Sequence, residues 1–247
     1  MFRKHCLHCF SLLLLLAPAQ VFAQIAERHF EKPEVTFVNL DESENGKLYG
    51  KIVPNPEAFI QETAFRVCQI LFKEKKEIPV VKTINYKVED YKGVSEKTGE
   101  LPAVNVRFSS SYLRAKFEAL SKDSVALYEE VVGVLAHELT HVYQNDDGGR
   151  YSELGGVIEG LADAVRTKLG YKDYGKRKKG GSYKDAYDTS AFFFVWIEKN
   201  KTTDFIYKLN KSLAPDDGKK WTWDEVKRIT GTDVETLWAE YQSEFPI

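Results

Sequence analysis

The chain has 247 residues, 43% of them hydrophobic and 13% aromatic, with 35 basic against 37 acidic side chains. That length and aromatic content suit a folded chain with a substantial core, not a disordered or fibrous one. The near balance of charge, with no acidic or basic tail, gives no reason to expect nucleic acid as a partner.

Residues 1–23 read as an export leader, to be set aside from fold reasoning. Arg3 and Lys4 form its positive start, Leu12 to Leu16 its apolar run, and Val21-Phe22-Ala23 a small-residue cleavage site before Gln24. The apolar run is too short to span a bilayer comfortably, so no membrane anchor is expected. Gln24 and not a cysteine stands directly after the cleavage point, which argues against a lipoprotein. The mature chain is expected to be mildly acidic, secreted or periplasmic, and a monomer is favoured. Cys6 and Cys9 leave with the leader, so Cys68 remains as a lone core cysteine and no internal disulfide is expected. Of five histidines, His5 and His8 leave as well, and His29 falls in the polar stretch just after the cleavage point. Only His137 and His141 are left to hold a metal, so a carboxylate must complete any site built on them.

Val35 to Leu40 alternates like a strand, and Asp41 to Gly46 reads as a turn. Asn55-Pro56-Glu57 opens a helix, carried by Ile60, Ala64, Val67 and Leu71 to about Lys73. Val80 to Val88 and Ala103 to Phe108 are two further strands, separated by a polar loop containing glycine. The second of these is the candidate sheet edge for an extended substrate, with an ordinary interior strand as the alternative. Ser109-Ser110-Ser111 caps a helix to about Leu120, and Asp123-Ser124 caps the next. Asn145 to Gly149 breaks that helix, Ser152 opens another over Leu154 to Leu169, and Gly170 ends it. Lys176 to Gly181 is a basic loop expected to be solvated. Tyr183 to Glu198 is an aromatic-rich helix, with further helices to the end. Strands and a helix first, then helices alone, point to an α+β fold with a metal held between two lobes.

The chemistry concentrates in His137-Glu138-Leu139-Thr140-His141, on the helix led by the apolar run from Val131. Positions i and i+4 share a helix face, so both imidazoles can reach one metal ion, the spacing of zinc peptidases. Glu138 lies beside them, placed to take a proton from water and not to bind the metal. Two carboxylates compete for the third ligand position. Glu159 is preferred, on the helix after the break, with Asp163 one turn on to fix a histidine tautomer. Gly155, Gly156 and Gly160 then allow close approach of the two helices. The rival, Asp147, requires the first helix to stop sharply after His141, where the chain has Gln144 in place of a glycine.

These residues resemble the basic secretory protein peptidases of plants and bacteria, zincins with a His-Glu-x-x-His-x-[Trp/Tyr]-Gln core, matched by His137 to Gln144. The family's Gly-x-Ile-Glu-Gly-x-Ala-Asp-x-x-Arg is similar to Gly156 to Arg166, and its Trp-Asp-Gln-Gly-Tyr-Asp-x-x-Ala-x-Phe to Tyr183 to Phe193. The likeness runs from about Ala103 to Phe194. Tyr183 in place of Trp, and Asp185-Ala186 in place of Gln-Gly, bear on pocket shape and not on metal chemistry. The resemblance implies a zincin-like metallopeptidase; with the leader over 1–23 and the order of elements, the chain reads as one α+β catalytic domain over 24–247, a sheet-containing lobe over about 24–145 and a helical lobe over about 146–247.

The expectation is therefore a zinc metallopeptidase acting on peptide or protein, with one Zn2+ per chain on His137, His141 and Glu159. Glu138 is the general base, Asp163 orients a histidine, and Tyr187, matching the family's tyrosine, is the oxyanion donor unless it is a core aromatic. Two alternatives stand beside this. One is a zinc hydrolase of another class, acting on cell-wall peptides or amides; the other is a binding module with a vestigial site, which would not need Glu138.

Overall fold

The computed structural model describes residues 30–149, 154–214 and 220–246. The expected leader and its cleavage site, Cys6, Cys9, His29 and Ser152 lie outside the described residues. The fold is α+β: a small mixed sheet gathered in the first half, followed by helices. No helix among the described residues is long and apolar enough to cross a membrane.

The sheet holds β1 (Glu34–Asn39), β2 (Thr83–Glu89), β3 (Ser95–Thr98) and β4 (Ala103–Ser109), in spatial order β1-β2-β4-β3. β1, β2 and β4 run parallel, and β3 returns antiparallel to β4. Period-two alternation sends Ile84, Tyr86 and Val88 of β2 and Val104, Val106 and Phe108 of β4 to one buried face, in register with each other. Tyr49, Tyr86 and Phe108 pack beneath that face, and the Tyr49 hydroxyl donates to the Tyr86 oxygen at 3.0 Å. One open alternative is decided here and one expectation changes. β4 is an interior strand, so the edge beside the following helices belongs to β3, in what read as a polar loop. The supposed turn at Asp41 to Gly46 instead runs into a helix, α1 (Glu44–Ile52), capped by Ser43. Gly46 makes that entry possible, because a Cβ there would stand 1.8 Å from the Asp41 carbonyl oxygen.

α2 (Pro56–Leu71) begins with Asn55 as cap and Pro56 in its first turn. Cys68 lies on its inner face and is fully buried. Ser109 caps α3 (Ser110–Ala119), accepting from the Tyr112 amide. Asp123 caps α4 (Ser124–Tyr143), taking the amides of Val125 and Ala126. α4 is buried along most of its length, and the chain leaves it at Gln144.

α5 (Gly155–Lys168) and α6 (Tyr187–Asn200) pack on each other through glycine contacts. A Cβ on Gly160 would meet Ser190 Cβ at 2.5 Å, and one on Gly156 the Lys184 carbonyl oxygen at 2.4 Å. These two glycines thus bring α5 against α6 and its lead-in; Gly155 faces open space. The approach of α5 to α4 depends on Gly133 of α4, where a Cβ would lie 2.7 Å from Arg166 Nε. α6 starts four residues later than its aromatic pattern suggests, because Ala186 and Tyr187 turn into it with φ of 66° and 42°. Tyr183 therefore stays outside the helix, packed on Trp223 and Trp238 with its hydroxyl on Glu235. α7 (Phe205–Ser212), α8 (Asp224–Thr230) and α9 (Val234–Ser243) complete the helical half.

Candidate metal centre

The last two turns of α4 present His137 and His141 on one face. Their Nε2 atoms are 3.0 Å apart, with rings nearly perpendicular. α5 supplies Glu159, whose Oε2 lies 3.2 Å from His137 Nε2 and 3.5 Å from His141 Nε2. One donor atom from each of the three lies within 4.8 Å of the others, close enough for a single metal ion. All three side chains are mostly buried yet open on one side, with exposures of 13%, 16% and 28%.

Asp147 is not in this group. It sits in a left-handed turn with φ 53°, and its Oδ2 accepts the Trp221 amide at 3.0 Å. Its own amide donates to the Leu213 carbonyl at 2.7 Å. Asp147 thus ties the α4–α5 connection to the segment after α7, and its buried carboxylate is spent on that backbone.

The electrostatics follow from the crowding. Asp163 Oδ1 lies 2.9 Å from His137 Nδ1, and its Oδ2 receives Lys172 Nζ at 2.6 Å. Burial works against charge on His137, but hydrogen bonds to Asp163 and Glu159 outweigh it and raise its pKa to about 9. Burial would likewise raise Asp163; His137 and Lys172 overcome it and lower the carboxyl to about 2. Glu159 is held well below the usual carboxylate range, its burial outweighed by the two imidazoles. Glu138, only 6% exposed, moves the other way. Its burial dominates, the two histidines only partly offset it, and its pKa rises.

Tyr187 opens α6 as a surface side chain, 56% exposed, and not as a core aromatic. Its ring stacks over His137 with centroids 6.1 Å apart and planes 13° off parallel. The Glu159 charge first, and partial burial second, push its hydroxyl pKa up.

On the His137 side of the site lies a cavity of about 580 Å³, walled by His137, Val94, Ser95, Val134, Glu138 and Tyr187 among others. Three neighbours carry no signal in the helical pattern that exposes His137 and His141. Ser95, from the short edge strand β3, reaches Glu138 with its side chain. Lys172, just past α5, bridges Asp163 and Asp188. Gln144, where the chain leaves α4, has Nε2 3.0 Å from His141 Nδ1. The first two depend on loop paths that no local pattern specifies. Gln144 is visible in the sequence, three residues beyond His141 and at the end of the family's core motif, but spacing alone assigns it no role at the site.

The arrangement can hold a metal ion with one side left open, next to the buried carboxylate of Glu138. The family model described as a peptidase of plants and bacteria matches residues 32–241, and the chain belongs to that family. No curated protein and no solved structure is found to match it.

Proposed function

We propose that this member of the peptidase family is an exported zinc metallopeptidase with a zincin-like fold, holding one zinc ion on His137, His141 and Glu159. The observation that carries the reading is the convergence of those three donors beside buried Glu138, in a chain of a peptidase family. Donors about 2.0–2.1 Å from one tetrahedral zinc lie about 3.4 Å apart. The separations of 3.0, 3.2 and 3.5 Å fit that geometry closely. Two imidazoles with one carboxylate is a donor set suited to zinc, and it leaves a fourth position free.

When bound, the ion supplies Lewis acidity, polarising a scissile carbonyl and lowering the pKa of water to about 7. Glu138 then takes the proton of the attacking water and delivers it to the leaving amine. Its raised pKa, caused first by burial, makes it a stronger base than a solvated glutamate. Asp163 holds His137 with Nδ1 protonated and Nε2 turned toward Glu159. Tyr187 is the proposed donor to the developing oxyanion, since its exposed ring already lies over His137.

The substrate is a peptide or protein lying extended along β3. Among the described residues that strand pairs with β4 alone, so its outer edge can accept an added strand. Ser95, at its start, lines the cavity with Glu138 and would bring such a strand past the base. We read residues 24–247 as one catalytic unit whose sheet-containing lobe, to about 145, meets the helical lobe along α4 and α5. The leader over 1–23 directs it out of the cytoplasm.

Elemental analysis of protein purified without chelator, joined to a broad peptide-library assay, tests the reading. About one zinc per chain is expected, with cleavage lost to a chelator and restored by zinc. No transition metal bound after zinc supplementation contradicts it. Cleavage of wall fragments but of no peptide would favour the other class of hydrolase.

A further inference from the structure

Asp163 holds His137 through Nδ1, but it does not reach His141, whose Nδ1 faces a different group. A neutral imidazole carries one proton on its two nitrogens. If Nε2 of His141 gives its lone pair to the ion, Nδ1 must carry that proton and needs an acceptor. The group facing Nδ1 is the side-chain amide of Gln144, at 3.0 Å.

The geometry follows from how α4 ends. The Gln144 amide nitrogen still donates to the Thr140 carbonyl at 2.7 Å, so the residue stays attached to the last turn. Its ψ of 151° turns the following chain away. The side chain is left against His141, three residues back, on the side of the ring remote from Glu159. It is half-buried, and its Oε1 is shielded from solvent without a hydrogen-bond partner. A terminal amide is two-sided: half a turn exchanges oxygen and nitrogen at nearly unchanged positions. With nitrogen inward it donates to an unprotonated Nδ1, the arrangement that leaves the His141 proton on Nε2. With oxygen inward it accepts from Nδ1–H, the arrangement that metal binding through Nε2 requires.

We infer that Gln144 is the positioning residue of His141: its amide oxygen accepts from Nδ1–H and fixes the tautomer that presents Nε2 to the ion. This rests on the zinc reading above and adds to it a residue outside the ligand set. The two histidines are then held differently. His137 is backed by an anion, Asp163, itself neutralised by Lys172; His141 is backed by a neutral amide. An uncharged acceptor orients the ring without adding a negative charge to a cluster that already holds Glu138, Glu159 and Asp163.

The test measures zinc affinity by competition with a chromophoric chelator for wild type, Gln144→Leu and Gln144→Glu, with the unfolding midpoint of each metal-free protein. Gln144→Leu, which has no acceptor, should bind zinc about 10–100-fold more weakly. Gln144→Glu, which restores an acceptor, should bind within a few-fold of wild type. A residue that merely closes the helix would lower the unfolding midpoint and leave zinc affinity alone. Unchanged zinc affinity in Gln144→Leu therefore overturns the inference. Should Gln144→Leu fail to fold, nitrogen-15 spectra of zinc-loaded wild type decide: the His141 proton on Nδ1 supports it, and on Nε2 overturns it. Wild type that takes up no zinc at all fails the metallopeptidase reading itself, a result distinct from either.

Discussion

The carboxylate of Asp163 divides its two oxygens between His137 Nδ1, at 2.9 Å, and Lys172 Nζ, at 2.6 Å. Asp163 itself is 2% exposed, and it stands one turn beyond Glu159 on the same helix. One helix thus delivers both a candidate ligand and the group that orients another. Asp163→Ala should weaken zinc binding about 10–100-fold, and Glu159→Ala should weaken it further. Asp147→Ala should change zinc affinity little, because its carboxylate is occupied by the Trp221 amide. Affinities in the reverse order would place the third ligand in the α4–α5 connection.

The position of Glu159 depends on how tightly α5 lies against α6. Gly160 is the contact, with no room for a methyl group beside Ser190 and Phe194. Gly160→Ala should cost about 1–3 kcal/mol as the two helices are pushed apart. Chemical denaturation measures the loss, and zinc affinity should fall with it. A variant as stable as wild type would mean that α5 is less tightly seated than the contact implies.

These two helices mark how far the sequence could be read. Four-residue spacing was enough to put His137 and His141 on one face, and the same spacing paired Glu159 with Asp163. β3 was hidden because Ser95-Glu96-Lys97-Thr98 has no apolar alternation; pairing with β4, and not its own composition, makes it a strand. α1 was hidden because Ser43, Asn45 and Gly46 are turn formers, and here the serine caps a helix instead. Of the three glycines of α5, Gly156 and Gly160 are close contacts, but with α6 and its lead-in and not with α4, and Gly155 faces open space. A sequence shows that a helix face is small, not which helix lies against it.

A pH-dependent contribution to stability is expected away from the metal. Glu77, just before β2, accepts the Tyr207 hydroxyl and Lys211 Nζ, both at 2.9 Å, and the Lys73 amide at 3.0 Å. Burial would raise its pKa, but these donors outweigh it and lower it to about 2. A depressed folded-state pKa stabilises above the unfolded value and loses that contribution as pH falls through the folded one. Wild type should exceed Glu77→Gln by about 1 kcal/mol at pH 7, allowing for solvent screening. The gap should close between pH 4.5 and about 2. Urea unfolding of both metal-free proteins across that range measures it, and a gap independent of pH would contradict the assignment.

Tyr187 stands over His137 at the mouth of the site without belonging to the core. Tyr187→Phe should keep zinc content and folding while lowering kcat by about 10²-fold, the effect of removing one oxyanion donor. An unchanged kcat would leave the ring a wall of the cavity only.

The measurement closest to the central claim is peptide cleavage by Glu138→Gln. Glu138 is buried beside the two histidines, yet no oxygen of it belongs to the group that can hold the ion. Glutamine keeps nearly the same volume but cannot accept a proton from water. Zinc occupancy and the unfolding midpoint should therefore match wild type. Cleavage of the best library peptide should fall by more than the 10²–10⁴-fold typical of one acid–base group, since Glu138 serves both proton transfers. Glu138→Gln that cleaves this peptide as fast as wild type would contradict the account.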